Sequence, residues 1–353
     1  MITHMHIENF KCFKDFDIDL GPFNVLIGPN DCGKTAFLRT VKMASGFSPG
    51  SGHGTLAYWG GTPEELRWRG DQGRRIVVDV SGSPADTGLS PAHLVLMGEQ
   101  SDGFVCELTR IAKDAAMHSG NSPGSSAWHQ DWFRAAIGKT SYYRLDPKAI
   151  RRPSPFVQPL DETGFGLPTF LDDMKRVHGK VFLAVEKAFC ERFPHYRELP
   201  IAKASDGNQN CFVLTFRPVQ GVDLSVQGVS DGVLVSLAFL AIGHDPNPPN
   251  ILLIEEPENH VHHASLKDIV ATLKHLATDK GVQVILTTHS PDLVQEVDPR
   301  DVRVFSKDDE GAVRAVRLSD YPEVENMRKY FGTGEIWTDL DEKEIVAKAG
   351  PRT

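Results

Sequence analysis

The residues of this chain best suited to chemistry are Gly28-Pro29-Asn30-Asp31-Cys32-Gly33-Lys34-Thr35, set between an apolar, strand-like stretch (Phe23 to Ile27) and a helix-like one (Ala36 to Met43). Glycines let consecutive backbone N–H groups turn inward, and a helix N-terminus adds its positive dipole, so the run reads as a phosphate-binding loop. Lys34 then reaches the outer phosphates, and Thr35 offers a hydroxyl to Mg²⁺. A second run, Ile251-Leu252-Leu253-Ile254-Glu255-Glu256-Pro257-Glu258, is apolar and ends in two acids. It reads as a buried parallel strand that delivers carboxylates to its C-terminal edge, where open α/β sheets bind ligands. Glu255 can hold the water shell of Mg²⁺, and Glu256 can orient and deprotonate an attacking water. The plainer account is a strand that stops at a charged turn.

Two further runs decide between these accounts. Val282-Gln283-Val284-Ile285-Leu286-Thr287-Thr288-His289-Ser290-Pro291 is another buried-strand pattern that ends in polar residues. A lone histidine is usually a satisfied surface or core residue; in this order and spacing His289 reads as a contact for a γ-phosphate. Val229-Ser230-Asp231-Gly232 precedes an apolar helix, Val233 to Ile242. A serine there is most often a plain N-cap, but in this company it resembles the signature motif of an ABC-type ATPase.

Taken together, the four runs resemble the ABC-ATPase heads of the RecF, structural-maintenance-of-chromosomes (SMC) and OLD relatives, the group labelled AAA_21. Met5-His6-Ile7-Glu8-Asn9-Phe10-Lys11-Cys12-Phe13-Lys14 resembles the first strand of such heads, and Gly166-Leu167-Pro168 with a helix over Phe170 to Phe193 adds to the likeness. The likeness covers both ends of the chain and much of the middle, and is weakest between about Phe47 and Asp161. It implies an α/β fold: an ABC-ATPase head, a P-loop NTPase, with a mixed β-lobe, a parallel-sheet core and a central α/β insertion. One head would span 1–353, with the phosphate loop and the start of the β-lobe in 1–45 and inserted strands with a helical lobe in 46–200. Residues 201–353 would carry the signature, the acid-pair strand, the histidine strand and a C-terminal tail.

The resemblance also assigns roles. Asn30, Asp31, Cys32, Gly33, Lys34 and Thr35 would hold ATP, Thr35 and Glu255 would serve Mg²⁺, and Glu256 would activate water beside Lys34 and His289. Ser230 and Gly232 would act on nucleotide held by a second copy, in a head-to-tail homodimer formed through ATP. The chain departs from the family pattern at Asp231, where the signature usually has glycine, and at Glu255, where most ABC ATPases carry aspartate. The glutamine that usually senses the metal has no good counterpart, Gln72 fitting poorly. Phe10, Lys11 and Phe13 are only neighbouring candidates for adenine contacts.

Composition sets the class. With 353 residues, 40% hydrophobic and 24% charged, the chain can bury a large core. No apolar stretch reaches the ~18–20 residues that span a bilayer, and no basic-then-apolar export signal opens the chain, so a cytoplasmic protein without membrane contact is expected. Five scattered cysteines, Cys12, Cys32, Cys106, Cys190 and Cys211, read as free thiols. A net charge of −9 argues against a nucleic-acid-wrapping face. Arg67-Trp68-Arg69, Arg74-Arg75 and Arg151-Arg152 read as solvated surface, which leaves nucleic-acid binding open.

Residues 45–54 and 118–126 read as Gly/Ser-rich loops, and 75–80 and 103–108 as strands. Lys34 and Glu255 stand 221 positions apart (255 − 34), and no sustained heptad fills the interval. Strands are expected at 302–306 and 313–318, then a helical tail whose acids Asp339, Asp341, Glu342 and Glu344 form a solvated face. His260, His262 and His263 lack a fourth ligand at zinc spacing. Only 64 residues (353 − 289) follow His289, too few for the nuclease domain of OLD-like proteins. The expected role is the motor or sensor subunit of a bacterial defence or DNA-maintenance system that works with a separate effector, a nuclease or toxin. An ATP-switched scaffold with little turnover and a RecF-type repair clamp are the rival readings.

Overall fold

The computed structural model describes residues 1–46, 63–71, 76–82, 92–99, 103–109, 137–206 and 209–349. It divides into two compact units. The first comprises Met1–Ser141, Pro249–Leu253 and Ala277–Thr353, and the second Tyr142–Pro248 and Ile254–Leu276. Strands are numbered here in chain order.

The first unit holds two sheets. One runs in the order β2 (Phe13–Asp19), β1 (Ile2–Phe10), β4 (Ile76–Gly82), β5 (Ala92–Glu99), β6 (Gly103–Thr109). It is antiparallel throughout. β1, β2 and β4 alternate as half-buried strands should: Met5, Ile7, Phe16, Ile18, Val78 and Val80 face inward while His4, His6, Asp15, Asp17 and Asp79 face out. The tight turn between β1 and β2 places Asn9 and Lys11 at left-handed φ of 53° each. Asn9 is suited to that conformation, and its amide secures the turn by donating to Asp71 O at 3.1 Å and accepting from Trp68 N at 3.2 Å.

The other sheet runs β16 (Val313–Arg317), β15 (Val302–Lys307), β3 (Phe23–Ile27), β14 (Gln283–Thr287), β13 (Ile251–Glu255), β7 (Thr140–Tyr143). β3 is parallel to both β14 and β15, and β16 closes the edge antiparallel to β15. Every residue of β3, β13 and β14 is buried, which is why these strands are mostly apolar and do not alternate; the amides of the buried Asn24 and Gln283 are hydrogen-bonded. An aromatic cluster ties the two sheets to the helix Lys34–Gly46: the Phe16 ring lies 4.7 Å from Phe13, 6.0 Å from Phe37 and 5.6 Å from Phe305.

The second unit contains a small sheet in which β11 (Gln209–Pro218) pairs with β8 (Ser154–Pro155), β9 (Tyr196–Glu198), β10 (Ile201–Asp206) and β12 (Leu224–Ser225). Helices Leu167–Val177, Gly179–Arg192 and Asp231–Gly243 accompany it. The single helix expected over 170–193 is therefore two. His178 leaves helical geometry at φ −127°, ψ 52°, and Gly179 follows it, the residue type least costly to place at a break. Phe189 still packs as the periodicity requires, 5.6 Å from Tyr196 and 5.7 Å from Phe216.

The strands expected at 75–80, 103–108, 302–306 and 313–318 are present as β4, β6, β15 and β16. The tail is three short helices, Val324–Met327, Thr333–Asp339 and Glu342–Ala349. Residues 45 and 46 continue the first helix; the rest of the 45–54 loop, the 118–126 loop, Gln72, Arg74 and Arg75 lie outside the described residues. Among the described residues, no helix is long and apolar enough to cross a membrane, and Cys12, Cys32, Cys190 and Cys211 are free thiols.

Candidate nucleotide-binding site

The phosphate loop leaves the C-terminal end of β3, and its two glycines are demanded by geometry. Gly28 has φ 135°, and a Cβ there would lie 2.2 Å from Phe305 O; Gly33 has φ 94°, and a Cβ would lie 3.0 Å from Cys12 Sγ and from Val313 Cγ2. Gly28→Ala combines a forbidden contact with a disfavoured φ and is expected to cost about 3 kcal/mol or more of stability, read as a lower denaturant midpoint. Asp31 is the one non-glycine of the loop in left-handed conformation, φ 62°, a region that Asp tolerates. Its carboxylate pairs with Lys307 at 2.5 Å.

Lys34 is 6% exposed, and its ammonium bridges the loop, donating to Gly28 O and Pro29 O at 2.8 Å each. The helix Lys34–Gly46 begins there, with Phe37 N bonded to Gly33 O at 2.8 Å, so its first turn aims N–H groups toward the loop. Thr35 is half-buried in that turn and Asn30 is exposed. Cys32 is buried, which pushes its thiol above the usual range although the Lys34 charge opposes this. The side chain therefore packs as a neutral thiol.

β14 lies parallel beside β3, so the residues that follow it leave from the same sheet edge as the phosphate loop. Thr288 N bonds Leu26 O at 3.1 Å, and the Thr288 hydroxyl accepts from Ser290 N at 2.9 Å. Ser290 caps the helix Pro291–Gln295 through Leu293 N at 3.3 Å. These bonds hold the backbone on both sides of the exposed His289. The first unit thus brings together two of the four runs read from the sequence.

Glu255, Glu256 and the Val229–Gly232 run belong to the second unit. Glu255 is 4% exposed; its carboxylate accepts a short hydrogen bond from the Tyr142 hydroxyl, and Arg144 Nε lies 3.9 Å away. Glu256 has a left-handed φ of 48°. Such a conformation costs a bulky non-glycine residue about 1–3 kcal/mol and collects at functional sites. Asn259 holds the turn, donating from Nδ2 to Glu256 Oε2 at 2.7 Å and from its backbone N–H to Glu256 O at 3.0 Å.

Ser230 is the N-cap of Asp231–Gly243, yet its side chain makes no capping bond; the residue is exposed. Asp231, the departure from the usual signature, is paired with Arg151 Nη1 at 2.5 Å and faces His260 Nδ1 at 3.7 Å. Arg151 also donates to Val229 O at 2.6 Å, so one guanidinium fixes the backbone and the carboxylate on either side of Ser230. At Gly232 a Cβ would approach His260 O to 3.0 Å.

Sequence reasoning missed Tyr142, Arg144, Asn259 and Arg151 as partners of these residues. Arg151 and Arg67, expected on a solvated surface, are half-buried and 5% exposed respectively. Only the position of Asn259 directly after the acid-pair turn offered a signal. His262 and His263 stack at 4.0 Å, and His262 Nδ1 accepts from Ala264 N. They join no cluster of three metal-ligating side chains among the described residues.

Comparison with known proteins bears on the family likeness and the fold. The family model described as AAA domain, putative AbiEii toxin, Type IV TA system matches residues 191–295, and the AAA ATPase domain model matches residues 1–44. An OLD nuclease from Thermus scotoductus is 24% identical over 393 aligned positions, covering 99% of this chain and 70% of the relative. Among solved structures, an SMC head bound to the C-winged helix domain of ScpA superposes with a TM-score of 0.62 at 16% identity, over 89% of this chain and 97% of that one. The Pyrococcus furiosus SMC head bound to the C-terminal domain of ScpA gives 0.60 at 12% identity, over 93% and 99%.

A phosphate loop between β3 and a helix, on a sheet superposable with SMC ATPase heads, defines a P-loop NTPase fold. The two family-model matches and the OLD nuclease relative support a likeness to ABC/SMC/OLD-like ATPases.

Proposed function

We propose that this chain hydrolyses ATP, and that ATP joins two copies into the active form. The observation that carries the reading is the Lys34 ammonium held across a loop whose Gly28 and Gly33 admit no side chain, on the same sheet edge as His289. That cradle fits a polyphosphate, because inward N–H groups and one buried cation offer charge-assisted hydrogen bonds.

Asn30, Asp31, Cys32 and Gly33 supply loop backbone, Lys34 neutralises the outer phosphates, and His289 contacts the γ-phosphate. The Thr35 hydroxyl and the Glu255 carboxylate are the proposed ligands for Mg²⁺, which when bound would supply charge neutralisation at the phosphates. Glu256 takes a proton from the attacking water as the oxygen bonds to the γ-phosphorus and the bond to ADP breaks. The strained φ and the Asn259 clamp keep that carboxylate in one place, which is how a general base gains its advantage. Ser230 and Gly232 act on nucleotide bound by a second copy, and the exposed, uncapped Ser230 hydroxyl suits that role.

The test is ATP turnover together with oligomeric state. Ser230→Arg places a long cation at the proposed contact and is expected to stop ATP-driven dimerisation seen by light scattering. Normal dimerisation and turnover in that variant would remove Ser230 from the interface. At the biological level the chain is the motor or sensor of a defence or DNA-maintenance system, acting with a separately encoded effector. The names of its relatives, an OLD nuclease and a putative toxin family, support that reading. Its test is affinity capture with Lys34→Ala and Glu256→Gln baits from the native host: an effector retained in only one nucleotide state supports it, and no partner in either state counts against it.

A further inference from the structure

The outward face of the β1–β2 ladder carries a cluster unconnected with the phosphate loop. His4 and His6 are two residues apart on β1, so the pleat points both imidazoles to one face. The register sets His4 opposite Asp19, His6 opposite Asp17 and Glu8 opposite Asp15, all on that face. His6 Nδ1 lies 3.0 Å from Asp17 Oδ1 and 3.9 Å from Asp15 Oδ1. His4 Nε2 lies 3.2 Å from the same Asp17 oxygen, while its Nδ1 lies 3.0 Å from Asp19 Oδ1.

One ligand atom each from His6, Asp15 and Asp17 falls within 4.8 Å of the others. Ligands about 2.0–2.1 Å from a tetrahedral cation are separated by about 3.3 Å, so these spacings need only small side-chain adjustment to close on one ion. A ring nitrogen with two carboxylate oxygens suits Zn²⁺ or Co²⁺ better than Mg²⁺ or Ca²⁺, which take oxygen sets. His4 sits between Asp17 and Asp19 as an outer partner does when it orients a ligating carboxylate.

We propose that His6, Asp15 and Asp17 bind one divalent cation of the zinc class, with His4 and Asp19 orienting Asp17. The site uses no residue of the ATP reading, so either can fail alone. The experiment is titration of the chelator-stripped full chain with Co²⁺ in nucleotide-free, Mg²⁺-free buffer, following visible absorption, then displacement by Zn²⁺. Saturation near one equivalent is expected, with saturable binding lost in His6→Ala and weakened more than roughly tenfold in Asp17→Asn. The His262→Ala/His263→Ala double variant is expected to bind as the parent does. Should His6→Ala fold poorly, Asp15→Asn and Asp17→Asn keep side-chain volume and carry the comparison. No saturable binding by the parent, binding unchanged in the ladder variants, or binding lost in the His262/His263 variant would each overturn the proposal.

Discussion

Replacing Glu256 with glutamine is expected to lower ATP turnover by about 10²–10⁴-fold while leaving nucleotide affinity within a few-fold of the parent chain. Glutamine has nearly the same shape and still offers an oxygen to Asn259 Nδ2, so the left-handed turn at 256 has its clamp in the variant. What is lost is basicity, needed only as water attacks, so the effect falls on kcat and not on binding. The same variant should accumulate as an ATP-bound dimer, since binding persists and the step that ends it is blocked. Phosphate release and a nucleotide titration on one preparation decide the matter. Undiminished turnover would exclude Glu256 as the base.

Lys34→Ala should act at the earlier stage. Loss of one buried, charge-assisted donor to the phosphates removes about 2–3 kcal/mol of binding, roughly a 30–150-fold weaker affinity. The dimerisation that depends on bound ATP should vanish with it. Because the ammonium also satisfies Gly28 O and Pro29 O, the thermal midpoint of the variant must be measured beside its affinity. Parent-like ATP affinity in a folded Lys34→Ala chain would overturn the phosphate-loop assignment. The two variants separate binding from chemistry: one loses nucleotide, the other holds it.

The phosphate loop could be read from the chain because everything it needs is local. Eight consecutive residues carry the glycines, the lysine and the hydroxyl, and the strand before and helix after are each a single uninterrupted pattern. The buried strands β3, β13 and β14 were legible for a related reason: a strand covered on both faces is mostly apolar, and its few polar residues, such as Asn24 and Gln283, do not impose an alternation. The break at His178 was not, since the apolar spacing continues through it and only the backbone turns aside.

The sequence by itself therefore determined the chemistry on offer: a phosphate cradle, a pair of acids, a strand-end histidine and a serine before a helix. Tertiary structure alone decided what those groups touch. Tyr142 reaches Glu255 across 113 positions, and Arg151 reaches Val229 O across 78. The β1–β2 register places two histidines against three aspartates that as a sequence are only scattered charges on alternating strands. The physical reason is that backbone conformation is encoded in neighbouring residues, whereas a side-chain pair depends on register and packing. Those are set by the burial of apolar residues elsewhere in the chain.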